Sequence, residues 1–248
     1  MSVPALTPVQ KLPVPVLEHP HWRVNYRPSA YVAGKVPTLD ECWEILQRTT
    51  VRLGGWPFPR IPVRDSDRDY GDGWIAGWSN SSSRVEYWRF YQSTQFLYLG
   101  NPREVADPQQ MSELRSAMTS NTDSPSDLES VPGFLSITNS VETITKFFEF
   151  AARLAQARVY VDPITIDISI KGIAGFMLAA ESKWWWTDYV ARQAEFRYEK
   201  TIAPAELVAA AAEHAIQCAV WLFGRFGWAK PNVDAIRTDQ QKLLARGS

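Results

Sequence analysis

Six arginine and tryptophan residues in the front half of the chain have the side chains best suited to binding a planar or anionic group: Arg23, Arg52, Trp56, Arg60, Trp74 and Arg89. A guanidinium pairs with a carboxylate or phosphate through parallel hydrogen bonds, and it also stacks on an indole ring. These residues are therefore predicted to bind such a ligand. The alternative is that the two tryptophans cover a sheet edge while the arginines are simply solvated.

The short motifs of common enzymes are missing from the sequence. It contains no phosphate-binding G-x-x-x-x-G-K-[ST] loop, no G-x-G-x-x-G after a strand, no G-x-S-x-G and no H-E-x-x-H. The acidic residues show no spacing that singles out a general acid/base pair. We predict no catalytic residues and no cofactor, and an enzyme whose site is assembled from distant residues stays an alternative.

A D-x-D-x-D pattern at residues 65–69 is the one arrangement typical of a calcium loop. An EF-hand loop needs Gly at its sixth position and Glu at its twelfth, where this chain has Tyr70 and Ala76. A solvated loop in which Arg64 and Arg68 neutralise the carboxylates is therefore predicted, and no metal site.

Charge and composition limit the partners. The chain has 26 Lys and Arg against 27 Asp and Glu, a net charge of −1. The domain as a whole therefore lacks the excess positive charge that is typical of proteins that bind nucleic acid or an anionic membrane. Single-stranded nucleic-acid binding, with bases stacked on aromatic rings between basic residues, stays an alternative. Cys42 and Cys218 lie in helical apolar patterns and are expected to be small buried hydrophobes.

No secretory leader and no apolar run of the roughly 18 to 20 residues that span a bilayer are recognised. We therefore expect a cytoplasmic protein without a membrane partner. Residues 1–20 contain repeated prolines, which favours an extended arm. Residues 21–248 are expected to form a single domain, with a flexible polar loop near residues 103–133 that contains a short helix at 109–118.

Alternating apolar residues predict the strands. Residues 21–27 and 164–170 alternate most strictly, and the second of these is expected to have one wet face. Residues 84–99 are predicted to be a hairpin, residues 191–201 another strand, and residues 63–83 a polar loop.

Capping residues predict the helices. Thr38 opens a capping box and begins a helix that runs to about Arg48. Asn139 or Ser140 caps a second helix, and Pro204 is the first residue of a long third one. Because strands and helices mix without a regular βαβ repeat, the sequence predicts an α+β fold, with a mainly antiparallel sheet packed against several helices.

Several segments carry a resemblance to a known family. HWRVNYRPSAYV, VRLGGWPFPRIP, DGWIAG, WRFYQSTQFLYL, ITKFFEFAARLA and FGRFGW follow one another between residues 21 and 228. In this order they resemble the accessory region downstream of the AlbA_2, or Schlafen-like, nucleic-acid-binding domain of bacterial proteins. The AlbA_2 module itself is not in this chain.

The resemblance implies a sensor-like accessory domain in bacterial regulation or defence, and it supplies no catalytic residues. Together with the arginines and tryptophans, it leads us to expect a non-catalytic ligand-sensing or protein-interaction domain. Its partner would be an unidentified protein or a small anionic or planar ligand.

Overall fold

The computed structural model of the protein describes residues 14–81, 84–119, 130–180 and 189–246. Its strands, numbered in chain order, are β1 (His21–Pro28), β2 (Val51–Leu53), β3 (Trp56–Phe58), β4 (Arg68–Gly71), β5 (Trp74–Ser81), β6 (Arg84–Tyr91), β7 (Phe96–Gly100), β8 (Phe134–Ser136), β9 (Ile164–Lys171), β10 (Met177–Ala179) and β11 (Glu195–Ile202). Seven of them form an antiparallel sheet in the order β11-β9-β1-β7-β6-β5-β4. Two small pairs stand apart: β2 with β3, and β8 with β10.

The helices are α1 (Val14–Leu17), α2 (Leu39–Thr49), α3 (Arg103–Ala106), α4 (Pro108–Thr119), α5 (Ile137–Gln156), α6 (Pro204–Arg225) and α7 (Val233–Arg246). The long helices α5 and α6 pack against each other and cover one face of the sheet, which we call the inner face. The opposite face is called the outer face. The α+β fold and its packing as one domain confirm the prediction from sequence.

Aromatic rings join the inner face to α5. Trp22 and Tyr26 of β1 contact Phe147 and Phe150, at centroid distances of 5.9 Å and 6.1 Å respectively. The Tyr26 hydroxyl donates a hydrogen bond to the Phe147 carbonyl oxygen at 2.6 Å. Rings of this size dominate core energetics, and a buried hydroxyl needs such a partner. This contact fixes α5 across the middle of the sheet.

Several local predictions are confirmed. The Thr38 hydroxyl accepts a hydrogen bond from the Glu41 backbone N–H at 3.2 Å and begins α2. Pro204 occupies the first turn of α6. Cys42 and Cys218 are both buried and free. These signals act over a few residues, which is why sequence reveals them.

The prediction of a polar loop at residues 63–83 was wrong, because β4 and all of β5 lie there. Glycine lowers strand propensity, yet Gly71 and Gly77 stand directly opposite Trp74 and Trp88 in the sheet. A Cβ added at either glycine would overlap the facing indole ring. The glycines are therefore places where a ring crosses the neighbouring strand.

Two other predicted details need correction. Helix α5 begins earlier than Asn139, because the Ser136 hydroxyl caps it by accepting from the Asn139 backbone N–H at 3.1 Å. The second face of β9 is not fully wet, since Asp167 and Ser169 are only 9% and 4% exposed. Neighbouring strands on both sides of β9 account for that burial.

The structure describes the first part of the predicted flexible loop but not its middle. Helices α3 and α4 occupy residues 103–106 and 108–119, which confirms the short helix, whereas residues 120–129 lie outside the described residues. Most of the proline-rich arm, residues 1–13, also lies outside them. Its last part forms α1, whose Val16 packs on the outer face against Tyr87 and Leu99.

Helix α6 is long and apolar enough, by length and composition, to cross a membrane. The expectation that the chain has no such stretch was therefore wrong. Half of that apolar window is buried in the fold, and α6 contacts both α5 and β11. A core helix of a globular domain passes the same test, so the absence of a membrane partner remains a prediction.

Candidate functional site

The six candidate residues divide between the two sides of the sheet. Arg23, Trp74 and Arg89 lie on the outer face, since the strand register aligns them with Leu99, Tyr91 and Leu97 rather than with the buried inner-face residues. Arg52, Trp56 and Arg60 belong to the β2–β3 hairpin and the residue pair that follows it. The candidates therefore do not form one surface.

On the outer face, Arg89 lies over an aromatic cluster. Its guanidinium carbon is 4.0 Å from the centroid of the Trp74 ring, with Tyr87 and Tyr91 at 5.8 Å and 5.9 Å. Arg89 Nε donates to the Tyr87 hydroxyl at 2.9 Å, and Nη1 reaches the Tyr91 hydroxyl at 3.5 Å. Burial raises the pKa of Tyr87, so its hydroxyl stays neutral. The cluster is a partly exposed aromatic platform, in which Tyr87 is buried.

Also on the outer face, polar side chains of β1, β9 and β11 line a groove of about 410 Å³. Because basic residues outnumber acidic ones in it, we call it the basic groove. Its lining residues are Arg23, Asn25, Arg27, Asp167, Ser169, Lys171, Glu195 and Arg197. Helix α1 packs over the neighbouring strands β6 and β7, where its Val16 contacts Tyr87 of the Arg89 platform.

Ion pairs hold most of the basic groove in place. Arg197 makes a bidentate pair with Asp167, at 2.8 Å and 3.1 Å, and its Nη2 also donates to Glu199 at 2.7 Å. The same Glu199 oxygen accepts from Arg27 at 2.7 Å. Lys171 pairs with Glu195 at 3.1 Å. These side chains therefore already have counter-charges.

Arg23 is the exception in the basic groove. It is exposed, and within the described parts of the chain it makes no hydrogen bond or ion pair. The register places it beside Ser169 on one strand and Leu99 on the other. An arginine without a counter-charge, in a groove of already paired charges, has donors left for an anion.

Trp56 and Arg60 lie on the other side of the sheet, around a buried carboxylate. Glu86 of β6 is 1% exposed and accepts from the Trp56 indole N–H at 3.4 Å, the Tyr98 hydroxyl at 3.3 Å and the Arg60 backbone N–H at 3.3 Å. The Arg60 guanidinium lies 4.4 Å from the Trp56 ring centroid, and that of Arg84 lies 5.2 Å away on the same ring. Here the arginine–tryptophan stack anchors the hairpin.

The surroundings of Glu86 shift two titratable groups. Burial raises the pKa of the Glu86 carboxyl. The charge of nearby Arg84 and the hydrogen bonds that the carboxylate accepts both act to lower that pKa. Lys146 of α5, 2% exposed, forms an ion pair with Glu142 at 2.5 Å, and burial lowers the pKa of its amine against the pull of that carboxylate. Perturbed pairs of this kind are found in active sites. Groups this buried contact no substrate in this conformation, so we assign them to the core.

Arg52 of β2 stands apart from both groups. It is exposed and faces Pro57 across the hairpin. Sequence reasoning missed Arg27, Lys171 and Arg197 as groove residues. The predicted alternation already put Arg23 and Arg27 on one face of a strand. The groove forms only when β9 pairs with β1, which lies more than 130 residues earlier in the chain, and with β11 on its other side.

Among the described residues no group of three or more His, Cys, Asp or Glu side chains is arranged to hold a metal ion. In the D-x-D-x-D segment, Asp65 pairs with Arg68 at 3.2 Å, and Arg68 also donates to the Pro62 carbonyl oxygen. The predicted arginine–carboxylate neutralisation is therefore present for one of the carboxylates.

The fold does not test three of the predictions. These are the resemblance to the AlbA_2-associated region, the bacterial regulatory role and the cytoplasmic location, and they remain predictions. Comparison with protein-family models, with curated proteins and with solved structures finds no match to this chain.

Proposed function

We propose that this protein is a non-catalytic binding domain, which senses a small anionic or planar ligand or holds a partner protein through the basic groove. The observation that carries the proposal is Arg23, an exposed guanidinium without a counter-charge in a groove whose other charges are fixed. A carboxylate or phosphate placed there gains charge-assisted hydrogen bonds at little cost in side-chain ordering of its neighbours.

The fixed neighbours of Arg23 favour recognition over chemistry. Arg27 and Arg197 are held by Glu199 and Asp167, so their positions are set before a ligand arrives. Pre-organisation of this kind raises affinity. None of the groove residues has the nucleophile–base geometry that acyl or phosphoryl transfer requires.

Titration calorimetry with pyrophosphate and with citrate tests the site. Arg23→Ala should weaken binding of the better of the two probes roughly ten-fold or more, because one charge-assisted pair is lost. Arg52→Ala is the matched control, an exposed strand arginine on another part of the fold, and should bind as the wild type does. Equal binding by the wild type and Arg23→Ala would contradict the assignment of Arg23.

Single-stranded nucleic-acid binding is the second candidate. It is favoured by the aromatic rings of Trp74 and Tyr91 beside Arg89, on the same outer face as the basic groove. Bases stack on such platforms while basic residues follow the backbone. The net charge of −1 argues against it.

Fluorescence anisotropy with an oligo-dT strand separates the two candidates. Nucleic-acid binding must weaken steeply between salt concentrations of about 50 and 200 mM, because binding releases counterions from the phosphates. Absent or salt-insensitive binding eliminates this candidate and leaves the small-ligand or protein partner.

A further inference from the structure

Strand β11 forms one edge of the sheet and is long enough to pair with a further strand. It is eight residues long, and within the described parts of the chain no strand pairs with its outer side. The opposite edge strand, β4, has four residues and follows a short turn tied back by the Arg68–Asp65 pair. Long free edges present unpaired backbone donors and acceptors to another strand.

The charges along β11 are self-complementary. Glu195, Arg197 and Glu199 alternate on the outer face, and Thr201 follows them there. When a second copy pairs antiparallel with Tyr198 on the two-fold axis, Arg197 faces Glu199 of the second copy at both symmetric positions. Registers centred on Arg197 or Glu199 place like charges opposite each other instead, which is destabilising.

The inner side of the same edge has an apolar patch at the proposed axis. Tyr198 is half-buried, and its ring contacts the half-buried Trp221 of α6 at 5.4 Å between centroids. The Arg225 guanidinium lies 5.1 Å from the Trp221 ring. Around a two-fold axis at Tyr198, the Tyr198 ring would meet its own copy, with the Trp221 ring of each chain beside it in a self-complementary patch.

We infer that β11 is a dimerisation edge, at which two copies of this chain join their sheets antiparallel around Tyr198. The pairing would place the two basic grooves side by side across the axis, since Arg197 lines the groove and also lies on β11. The inference goes beyond the proposed ligand binding and does not depend on it. One strand pair and one aromatic cluster make a small interface, so we expect a dissociation constant on the order of 10 μM.

Thr201 offers a matched pair of variants that tests this register. It is exposed, and in the proposed dimer it faces Glu195 of the second copy. Thr201→Glu places two carboxylates opposite each other at both symmetric positions, whereas Thr201→Lys places an ammonium opposite each carboxylate. We expect the dimer dissociation constant to rise about five-fold in the first variant and to fall about five-fold in the second.

Sedimentation velocity of the full chain, at concentrations on either side of the expected dissociation constant, measures all three proteins. Circular dichroism checks that both variants fold. Monomers at every concentration in all three proteins would overturn the inference, as would a dimer whose dissociation constant is the same in all three. An assembly larger than a dimer would also overturn it, because a two-fold interface closes at two copies.

Discussion

Two arginine–tryptophan stacks of nearly equal geometry have different surroundings in this fold. Arg60 lies 4.4 Å from the Trp56 centroid and Arg89 lies 4.0 Å from the Trp74 centroid. The first stack covers the buried Glu86 carboxylate, to which both residues donate hydrogen bonds. The second lies on the half-exposed outer face, and the arginine bonds only to tyrosine hydroxyls among the described residues.

The difference shows that residue type and spacing do not separate a stack over a buried charge from a stack on a partly exposed face. What separates them is the burial of the group beneath. A buried carboxylate needs its donors, so Trp56 and Arg60 are committed to stability. On the outer face Arg23 is exposed and makes no hydrogen bond or ion pair among the described residues, so we expect a ligand to bind there. Stability should therefore depend on the hairpin side, and binding on the outer face.

The largest expected effect on stability comes from Glu86. Glu86→Ala leaves the buried Tyr98 hydroxyl and the partly buried N–H groups of Trp56 and Arg60 without their acceptor. We expect it to lower the free energy of unfolding by about 3–5 kcal/mol. Glu199→Ala is the control on the outer face, where an exposed ion pair contributes about 0–1 kcal/mol. Urea denaturation of both variants measures the difference. Similar losses in the two would remove the distinction drawn between the sides.

The pH dependence of stability should identify Glu86 as well. Its folded pKa is raised above the ordinary 4.5, so the folded state holds its proton more tightly than the unfolded state does. The associated stability is present below pH 4.5 and is lost as pH rises through the folded pKa. Glu86→Gln cannot titrate at this position. The free energy of unfolding of the wild type relative to that of Glu86→Gln should therefore fall between pH 4 and the folded pKa. Urea denaturation at several pH values measures this difference. A difference that stays constant with pH would show that the pKa of the carboxyl is not shifted.

A smaller effect distinguishes the two indoles. Trp56→Phe keeps a ring but removes the N–H that Glu86 accepts, and should lower the free energy of unfolding by about 1 kcal/mol. The Trp74 indole N–H has no hydrogen-bond partner among the described residues. Trp74→Phe should therefore lower the free energy of unfolding only through the smaller ring area, with no lost hydrogen bond. Thermal unfolding of the pair checks this order, and a greater loss in Trp74→Phe would reverse it.

Sequence predicted the parts of the fold that depend on neighbouring residues. The cap at Thr38, the start of α6 at Pro204 and the strand at residues 21–27 each follow from a few positions. The segment at residues 63–83 failed because its glycines and aspartates have low strand propensity. There, packing of the Trp74 and Trp88 rings across glycines outweighs local preference.

The candidate site was harder to predict, because it depends on packing between segments that are far apart in the sequence. Sequence selected the arginines and tryptophans by residue type, but it could not divide them between faces, because the division depends on which strands pair. Glu86 was missed because a single glutamate in an aromatic hairpin gives no signal until Trp56 and Tyr98 are brought to it. Arg27 and Arg197 became groove residues only through the order β11-β9-β1.

The central claim, that the basic groove is the binding site, is tested most directly by what the protein carries when it is purified from cells. Native mass spectrometry would compare the wild type, Arg23→Ala/Arg27→Ala and the control Arg52→Ala under the same mild conditions. We predict a bound small molecule or partner chain on the wild type and on Arg52→Ala, and its loss from the groove variant. An adduct that stays on the groove variant, or is lost from Arg52→Ala, would contradict the claim.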